Sequence, residues 1–345
     1  LFLRRWLKQR TPTNLAGLDI EAESIKLLEI NSTDSSNRIE NFAIQPLPVG
    51  AIVKDEIKNP AAVITALKEL SKQSSIKTKN IALAIPRSAA IIKTITIDKR
   101  LTPGEIESRA WIEANRHFPD LVGDIYLDFS ITGASAEDPT QLELVLVACR
   151  KELINPYVEV LRQSGFVPKI IDINCYALER SMSLISKRAP ALNTWGLLNL
   201  NFSLSSFIII QKNQLLYAHD HSYDGQRLST QTKKFLTEEK LAEADPRYFD
   251  VLKENLSSHL RHTMHFFYSS RPNINIQRIV ISGDCATIPG LAKFIQQEVN
   301  IETELANPFI EMSFASTVNK EDLQRYTPAL MLSCGLALSQ AVKKL

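Results

Sequence analysis

Residues 15–30 read LAGLDIEAESIKLLEI, and the fold follows from the pattern of this stretch and from its return later in the chain. The apolar run Leu15-Ala16-Gly17-Leu18 leads to Asp19-Ile20, Glu21-Ala22-Glu23 interrupt it, and residues 25–30 resume it. That is a buried strand, a tight turn and a returning strand. Residues 195–210, WGLLNLNFSLSSFIII, align with it without a gap: Leu18 with Leu198, Asp19 with Asn199, Ile20 with Leu200 and Ile30 with Ile210. The hairpin occurs twice and opens each of two halves.

The intervening chain supplies the rest of a two-lobed α/β protein. Residues 38–47 read as a third strand. Asn59-Pro60 then opens a helix, with proline at the first turn, where its missing N–H costs nothing, and with Val63, Ile64, Leu67 and Leu70 on one face. Residues 81–85 form a short all-apolar strand of the kind covered on both faces of a sheet. Residues 90–97, 125–132 and 142–149 are strands. Thr102 and Glu105 make a capping box for a helix reaching His117. A helix over 151–165, a strand over 167–172 and a helix over 177–187 complete the first half. In the second half a strand over 214–219, helices from Gly225 and from Arg247, a strand over 277–281 and a helix over 289–299 follow the hairpin. Thr327-Pro328 opens a terminal helix whose Ala329, Ser333, Gly335 and Ala337 permit close packing. The expected division is a tail (1–14), a first core (15–85 and 150–190, joined by the helix 327–345), an inserted small α+β subdomain (86–149), and a second lobe (195–326) with its own insert near 225–270.

A duplicated strand–turn–strand of this kind resembles the superfamily of actin, Hsp70 and the sugar kinases. There the two turns face each other and their amides hold the phosphates of a nucleotide. A more specific resemblance lies in Glu105-Ile106-Glu107 through Glu113-Ala114, in Phe118-Pro119 and Leu127-Asp128-Phe129, in residues 147–152 (VACRKE) and in residues 172–180 (DINCYALER). It continues in Gly17-Leu18-Asp19-Ile20 with Ser24 and Lys26, in Ile279-Val280-Ile281-Ser282-Gly283, and in Asn307-Pro308-Phe309. These residues are similar to the type IV pilus assembly protein PilM family over roughly the whole chain. The resemblance implies an actin-like, FtsA-like fold with duplicated ribonuclease-H-like cores. It implies a scaffold or adaptor at the cytoplasmic face of the inner membrane, bound to the N-terminal cytoplasmic tail of a PilN-like membrane protein and near the pilus assembly ATPases. The groove it implies lies between the first core and the inserted subdomain, and the candidates to line it are Ala84, Pro86, Arg87, Ile106, Trp111, Val145 and Val147. Trp111 is read either as core or as an anchor of this groove.

The nucleotide-site candidates are Asp19, Ser24 and Lys26 in the first turn, Asn199, Asn201 and Ser203 in the second, and Gly225, Gly283 and Asp284. Glu21, Ala22 and Glu23 stand where the resemblance would place glycine and small hydroxyl residues. Each carboxylate repels a polyphosphate by about 1 kcal/mol even when well solvated. Asn201 replaces a glycine and adds a side chain where backbone must approach phosphate. The site is therefore expected to be degenerate. No cofactor is required, and ATP with Mg²⁺ is the ligand the resemblance would supply. An actin-like ATPase or switch, an FtsA-like filament former and a homodimer are the alternative readings, and no catalytic residue stands out.

Composition excludes other classes. Forty basic and 38 acidic residues give a net charge of +2, which does not mark a nucleic-acid binder. No apolar run approaches the roughly 18 residues of a membrane span. Four scattered cysteines, Cys149, Cys175, Cys285 and Cys334, read as reduced core residues. His259, His262 and His265 recur every three residues on one helix and read as its polar flank rather than as a metal site, and Asp128 reads as a solvated strand residue. Residues 1–12, LFLRRWLKQRTP, read either as a frayed cap or as a basic amphipathic segment for an anionic membrane surface. With no initiator Met, the start is expected to be a processed or trimmed one.

Overall fold

The computed structural model describes residues 14–33, 36–117, 123–135, 137–202, 204–222 and 246–340. The elements of the first half are β1 (Ala16–Ile20), β2 (Ser24–Ser32), β3 (Asn37–Pro46), the short hairpin β4 (Ile52–Val53) and β5 (Glu56–Ile57), α1 (Pro60–Gln73) and β6 (Asn80–Ile85). Then come β7 (Ala90–Asp98), α2 (Pro103–His117), β8 (Ile125–Ala134), β9 (Gln141–Arg150), α3 (Lys151–Gln163), β10 (Val167–Ile173) and α4 (Asn174–Ser186). The second half holds β11 (Thr194–Leu200), β12 (Leu204–Gln211), β13 (Gln214–Ser222), α5 (Pro246–Ser270), β14 (Arg278–Ser282), α6 (Leu291–Val299) and β15 (Thr303–Leu305). The chain closes with β16 (Ser313–Phe314), α7 (Lys320–Tyr326) and α8 (Met331–Ala337).

The duplication extends to the sheets, with β16 as an extra edge strand on the first. The first runs β10-β6-β1-β2-β3-β16 and the second β15-β14-β11-β12-β13. In both, the hairpin partners are antiparallel and the strand beyond the first hairpin strand is parallel to it. Register agrees as well. Asp19 faces Lys26 across the first hairpin and Asn199 faces Ser206 across the second, each position displaced by 199 − 19 = 180 residues. Each turn closes with an equivalent backbone bond, Glu21 N–H to Ser24 O and Asn201 N–H to Leu204 O, both 3.0 Å.

Three sequence signals explain local order. Asn59 caps α1 by accepting from the Ala62 amide, and Thr102 and Glu105 form the reciprocal box at α2. β11 and most of β12 are buried, as continuous apolar strands require. The central core does not stop at the first lobe: Trp195, Leu197, Ile208 and Val280 of the second sheet join Leu18, Leu83, Ile171 and Leu178 in one cluster. All four cysteines are free and buried. Among the described residues no helix is long and apolar enough to cross a membrane.

Two boundaries differ from expectation. The chain returns to the first sheet well before residue 327. β16 pairs with β3, and Phe309, Met312, Val318 and Leu323 pack with Leu28, Ile30 and Ile39. A two-residue strand carries too little pattern to be read from sequence. The terminal helix is also broken, with a 3-10 turn over Thr327–Leu330 ahead of α8. The tail over 1–12 lies outside the described residues.

α8 docks where two glycines let it. A Cβ on Gly335 would lie 1.7 Å from the Ala177 carbonyl oxygen, and one on Gly17 would lie 2.0 Å from the Ser333 carbonyl oxygen. Gly335→Ala is therefore expected to cost upwards of about 2 kcal/mol in urea unfolding, because only backbone could move aside. Gly104→Ala on α2, where nothing lies within 4 Å, should stay within about 1 kcal/mol and on the stabilising side.

Candidate functional site

The two turns meet face to face. Asn201 donates its amide to the Glu21 carboxylate, so equivalent positions of the two hairpins touch. Asn201 also accepts from the Asp284 amide at 2.9 Å through Oδ1, and Asn199 accepts from Ser282 Oγ at 2.8 Å. At the centre is Lys26, its side chain 1% exposed. Nζ lies 3.3 Å from Asp19, 3.2 Å from Glu21 and 3.1 Å from Asp284. Two of these carboxylates come from the first lobe and one from the second. Ser24 Oγ lies 3.5 Å from Asp284.

Burial works against the charge on Lys26, but Asp19, Asp284 and Glu21 outweigh it and hold the ammonium well above the pKa of a free lysine. Burial and then the Asp19 charge push Glu21 well up, against the pull of Lys26. Burial also raises Asp19, again opposed by Lys26. One ammonium thus faces three carboxyl groups in a volume sheltered from water.

Of the nucleotide-site candidates, Asp19, Ser24, Lys26, Asn199, Asn201, Gly283 and Asp284 are brought together here. Ser203 and Gly225 lie outside the described residues. Whether ATP with Mg²⁺ suits this set is a question of donors. The ammonium offers three N–H groups and faces three carboxylate oxygens, so each donor has a partner. The point on which the carboxylates converge is an ammonium, and among the described residues no three His, Cys, Asp or Glu side chains are placed to hold a metal ion. A polyanion between the turns would meet carboxylates with their cation already engaged. The residues present do not fit the group. A cavity of about 590 Å³ reaches from Glu23, Ser24, Phe202 and Asp284 to Arg325 and Tyr326, and Lys26 does not line it.

A second carboxylate pair spans the lobes. Asp220 on β13 accepts from Ser206 Oγ at 2.7 Å and from the Ser88 amide at 3.3 Å. Asp55, in the turn between β4 and β5, has its pKa raised to about 6 by burial and by Asp220.

The groove candidates divide. On β9, Leu144 and Leu146 pack with Ile106 and Ala110 of α2, whereas Val147 belongs to the central core on the opposite face, with Val145 and Ala84 packed against it. Alternation along a strand forbids Val145 and Val147 from sharing a surface with Ile106 and Trp111. Ile106 is itself buried. Pro86 precedes a 3-10 turn (Arg87–Ala89) turned toward the second lobe, with the Arg87 amide bound to Asn174 and that of Ser88 to Asp220. Trp111, 38% exposed, is the candidate that lines a groove. That groove, about 280 Å³, is bordered by Glu107, Trp111, Tyr126, Leu127, Phe129 and Lys151. Tyr126 also borders a cavity of about 610 Å³ along α3, with Asn155, Glu159 and Arg162. The Tyr126 hydroxyl donates to Asn155 Oδ1 at 2.7 Å, fixing the ring where the inserted subdomain meets the first core. The unforeseen residues were signalled by Tyr126 at the start of a strand and by the amphipathic α3.

Two further expectations are corrected. Asp128 is buried, with its carboxylate accepting from the Phe129 amide. His259 turns inward and stacks on His221 at 4.4 Å, and burial pulls its pKa down to about 3.

Twin five-strand cores, facing hairpin turns and a helix returning from the second half to the first define a two-lobed protein of the actin-like class. The family model for type IV pilus assembly protein PilM matches residues 17–341, and the chain belongs to that family. A structure described as a PilM-PilN type IV pilus biogenesis complex aligns with TM-score 0.78 and 22% identity over 97% of this chain and 100% of that one. The ethanolamine utilization protein EutJ from Carboxydothermus hydrogenoformans aligns with TM-score 0.53 and 11% identity, over 97% of each chain.

Asp55 supplies a test of the interlobe electrostatics. Its folded pKa lies above its unfolded value, so it binds its proton more tightly in the folded state, and its contribution to stability falls as pH rises from about 4 to about 6. Asp55→Asn, at a left-handed position that asparagine tolerates, should stabilise the chain by on the order of 2 kcal/mol at about pH 7.5 and by clearly less at about pH 5. Urea unfolding at the two pH values checks the sign.

Proposed function

We propose that this chain is an adaptor of the type IV pilus inner-membrane assembly complex, and that it holds the N-terminal cytoplasmic tail of a PilN-like membrane protein in the groove beside Trp111 and Tyr126. The tail would keep the chain peripheral at the cytoplasmic face of the membrane. The work is done by binding, without turnover.

The observation that carries this reading is the groove itself. It lies at the junction of the inserted subdomain and the first core, and it carries a half-exposed tryptophan. It runs beside β8, one of the two outer strands of the three-stranded sheet β7-β9-β8. An outer strand offers main-chain donors and acceptors to an extended peptide, and an aromatic ring beside it supplies a side-chain pocket. Family membership and the likeness to a structure described as a PilM-PilN complex point to the same kind of ligand. An ATPase reading needs a lysine free to meet phosphate, and Lys26 is engaged.

Fluorescence anisotropy of a labelled peptide, copied from the tail of the PilN-like protein of the same organism, tests it. Saturable binding is expected. Trp111→Ala should weaken it at least tenfold, about 1.4 kcal/mol, whereas Ile112→Ala, exposed but outside the groove lining, should not. Absence of saturable binding, or equal binding by both variants, would remove the groove from the account.

A further inference from the structure

We propose that the two lobes are latched by the chain's own ion cluster. Lys26, with Asp19, Glu21 and Asp284, takes the place between the turns that a polyphosphate would need, so that lobe closure is set by the sequence and not by a ligand. This inference concerns the interlobe cleft and does not rest on the peptide groove.

Four observations carry it. First, the cluster is shared between lobes: Lys26 to Asp284, Ser24 to Asp284 and Asn201 to Glu21 all cross the boundary. Second, the ammonium is saturated, with three N–H donors facing three carboxylate oxygens within 3.3 Å. An incoming phosphate oxygen could gain Lys26 only by displacing a carboxylate that would then lose its counter-charge in a largely buried site, which is costly. Third, the second turn is packed shut. A Cβ on Gly283 would lie 2.3 Å from the Leu200 carbonyl oxygen and 2.5 Å from Asn201 Oδ1, so backbone and side chain already fill the space beside the turn. The Gly283 amide is spent on the Pro328 carbonyl at 2.9 Å, which ties this loop to the segment returning to the first lobe. Fourth, the duplicated register gives the two turns different chemistry at matched positions. Asp19 and Lys26 stand in the first where Asn199 and Ser206 stand in the second, so the ionic half of the latch belongs to one hairpin and the neutral amide clasp to the other.

The latch does for this chain what a bridging ligand would do for an open cleft: it neutralises one face against the other and holds both turns at contact distance. Losing the cation while keeping the carboxylates would place like charges together in a buried site. Losing carboxylates while keeping the cation would expose ammonium donors to an anion.

Titration calorimetry and thermal unfolding of the full chain, with Mg-ATP and with inorganic tripolyphosphate as probes, test the proposal. The unmodified chain should show no saturable heat and no rise in Tm at millimolar concentrations of either probe. A saturable isotherm with a concentration-dependent rise in Tm would overturn it, since a ligand confined to the folded state must stabilise that state. Lys26→Met should lower Tm well below that of the unmodified chain, and adding Glu21→Gln and Asp284→Asn to it should recover much of the loss. A Lys26→Met variant that melts with the unmodified chain would overturn the latch. Should that variant fail to fold, Glu21→Gly with Asp284→Asn decides. It removes two of the three carboxylates and should bind tripolyphosphate saturably at concentrations where the unmodified chain shows no binding, and no gain would overturn the assignment of these carboxylates as the barrier. Peptide affinity measured in parallel reports on the groove alone, so failure of either reading is visible without the other.

Discussion

A lysine ammonium taken out of water needs its charge answered within hydrogen-bonding distance, and much of this molecule's geometry follows from how that need is met. Lys26 is buried and three carboxylates converge on it, one of them 258 positions away (284 − 26) on the opposite lobe. The hairpin register that puts Asp19 across from Lys26, the clasp of Asn201 on Glu21 and the return of the chain through Pro328 all serve one small volume. The apolar core agrees with this arrangement, since Trp195, Leu197 and Val280 of the second sheet join the first-lobe cluster. Polar and apolar contacts therefore hold the lobes in the same relative position, which is the consistency expected of a chain that specifies one state.

The junction of the inserted subdomain with the first core offers a surface apart from the cleft. The inserted subdomain has its own small core of Ile97, Ile106, Ala110, Leu144 and Leu146. That core faces α2, and the opposite face of the same sheet belongs to the first lobe. The junction leaves Trp111, Leu127 and Phe129 beside Tyr126 and the start of α3, an apolar strip with Glu107 and Lys151 at its margin. A groove of this kind on a two-lobed body is what the proposed adaptor role requires.

Much of the fold was legible because it is written in strong local patterns. The gapless match between residues 15–30 and 195–210 foretold both sheets, Asn59 and Thr102 marked two helix starts, and the small residues near the end announced close helix packing. What escaped was non-local or required counting faces. Glu21 was legible as a charge that repels phosphate, but not as a ligand of Lys26. Its partner set depends on Asp284, which hairpin pattern does not reach. The pairing of Asp19 with Lys26 was available in principle, because a turn closed between residues 21 and 24 makes positions 19 and 26 face each other. Val145 and Val147 were misplaced for want of the same period-2 count, which separates them from Leu144 and Leu146. β16 has two residues and no pattern to read.

The most direct test of the account is a distance across the cleft. The four native cysteines are buried, so cysteines introduced at Lys72 on α1 and Gln297 on α6, both exposed, can be spin-labelled selectively and their separation measured by pulsed electron paramagnetic resonance. A single narrow distance distribution, unchanged by millimolar Mg-ATP, is the expected result for lobes latched by their own ion cluster. A broad or two-peaked distribution that sharpens or shifts when Mg-ATP is added would contradict it, and would return control of the cleft to a ligand.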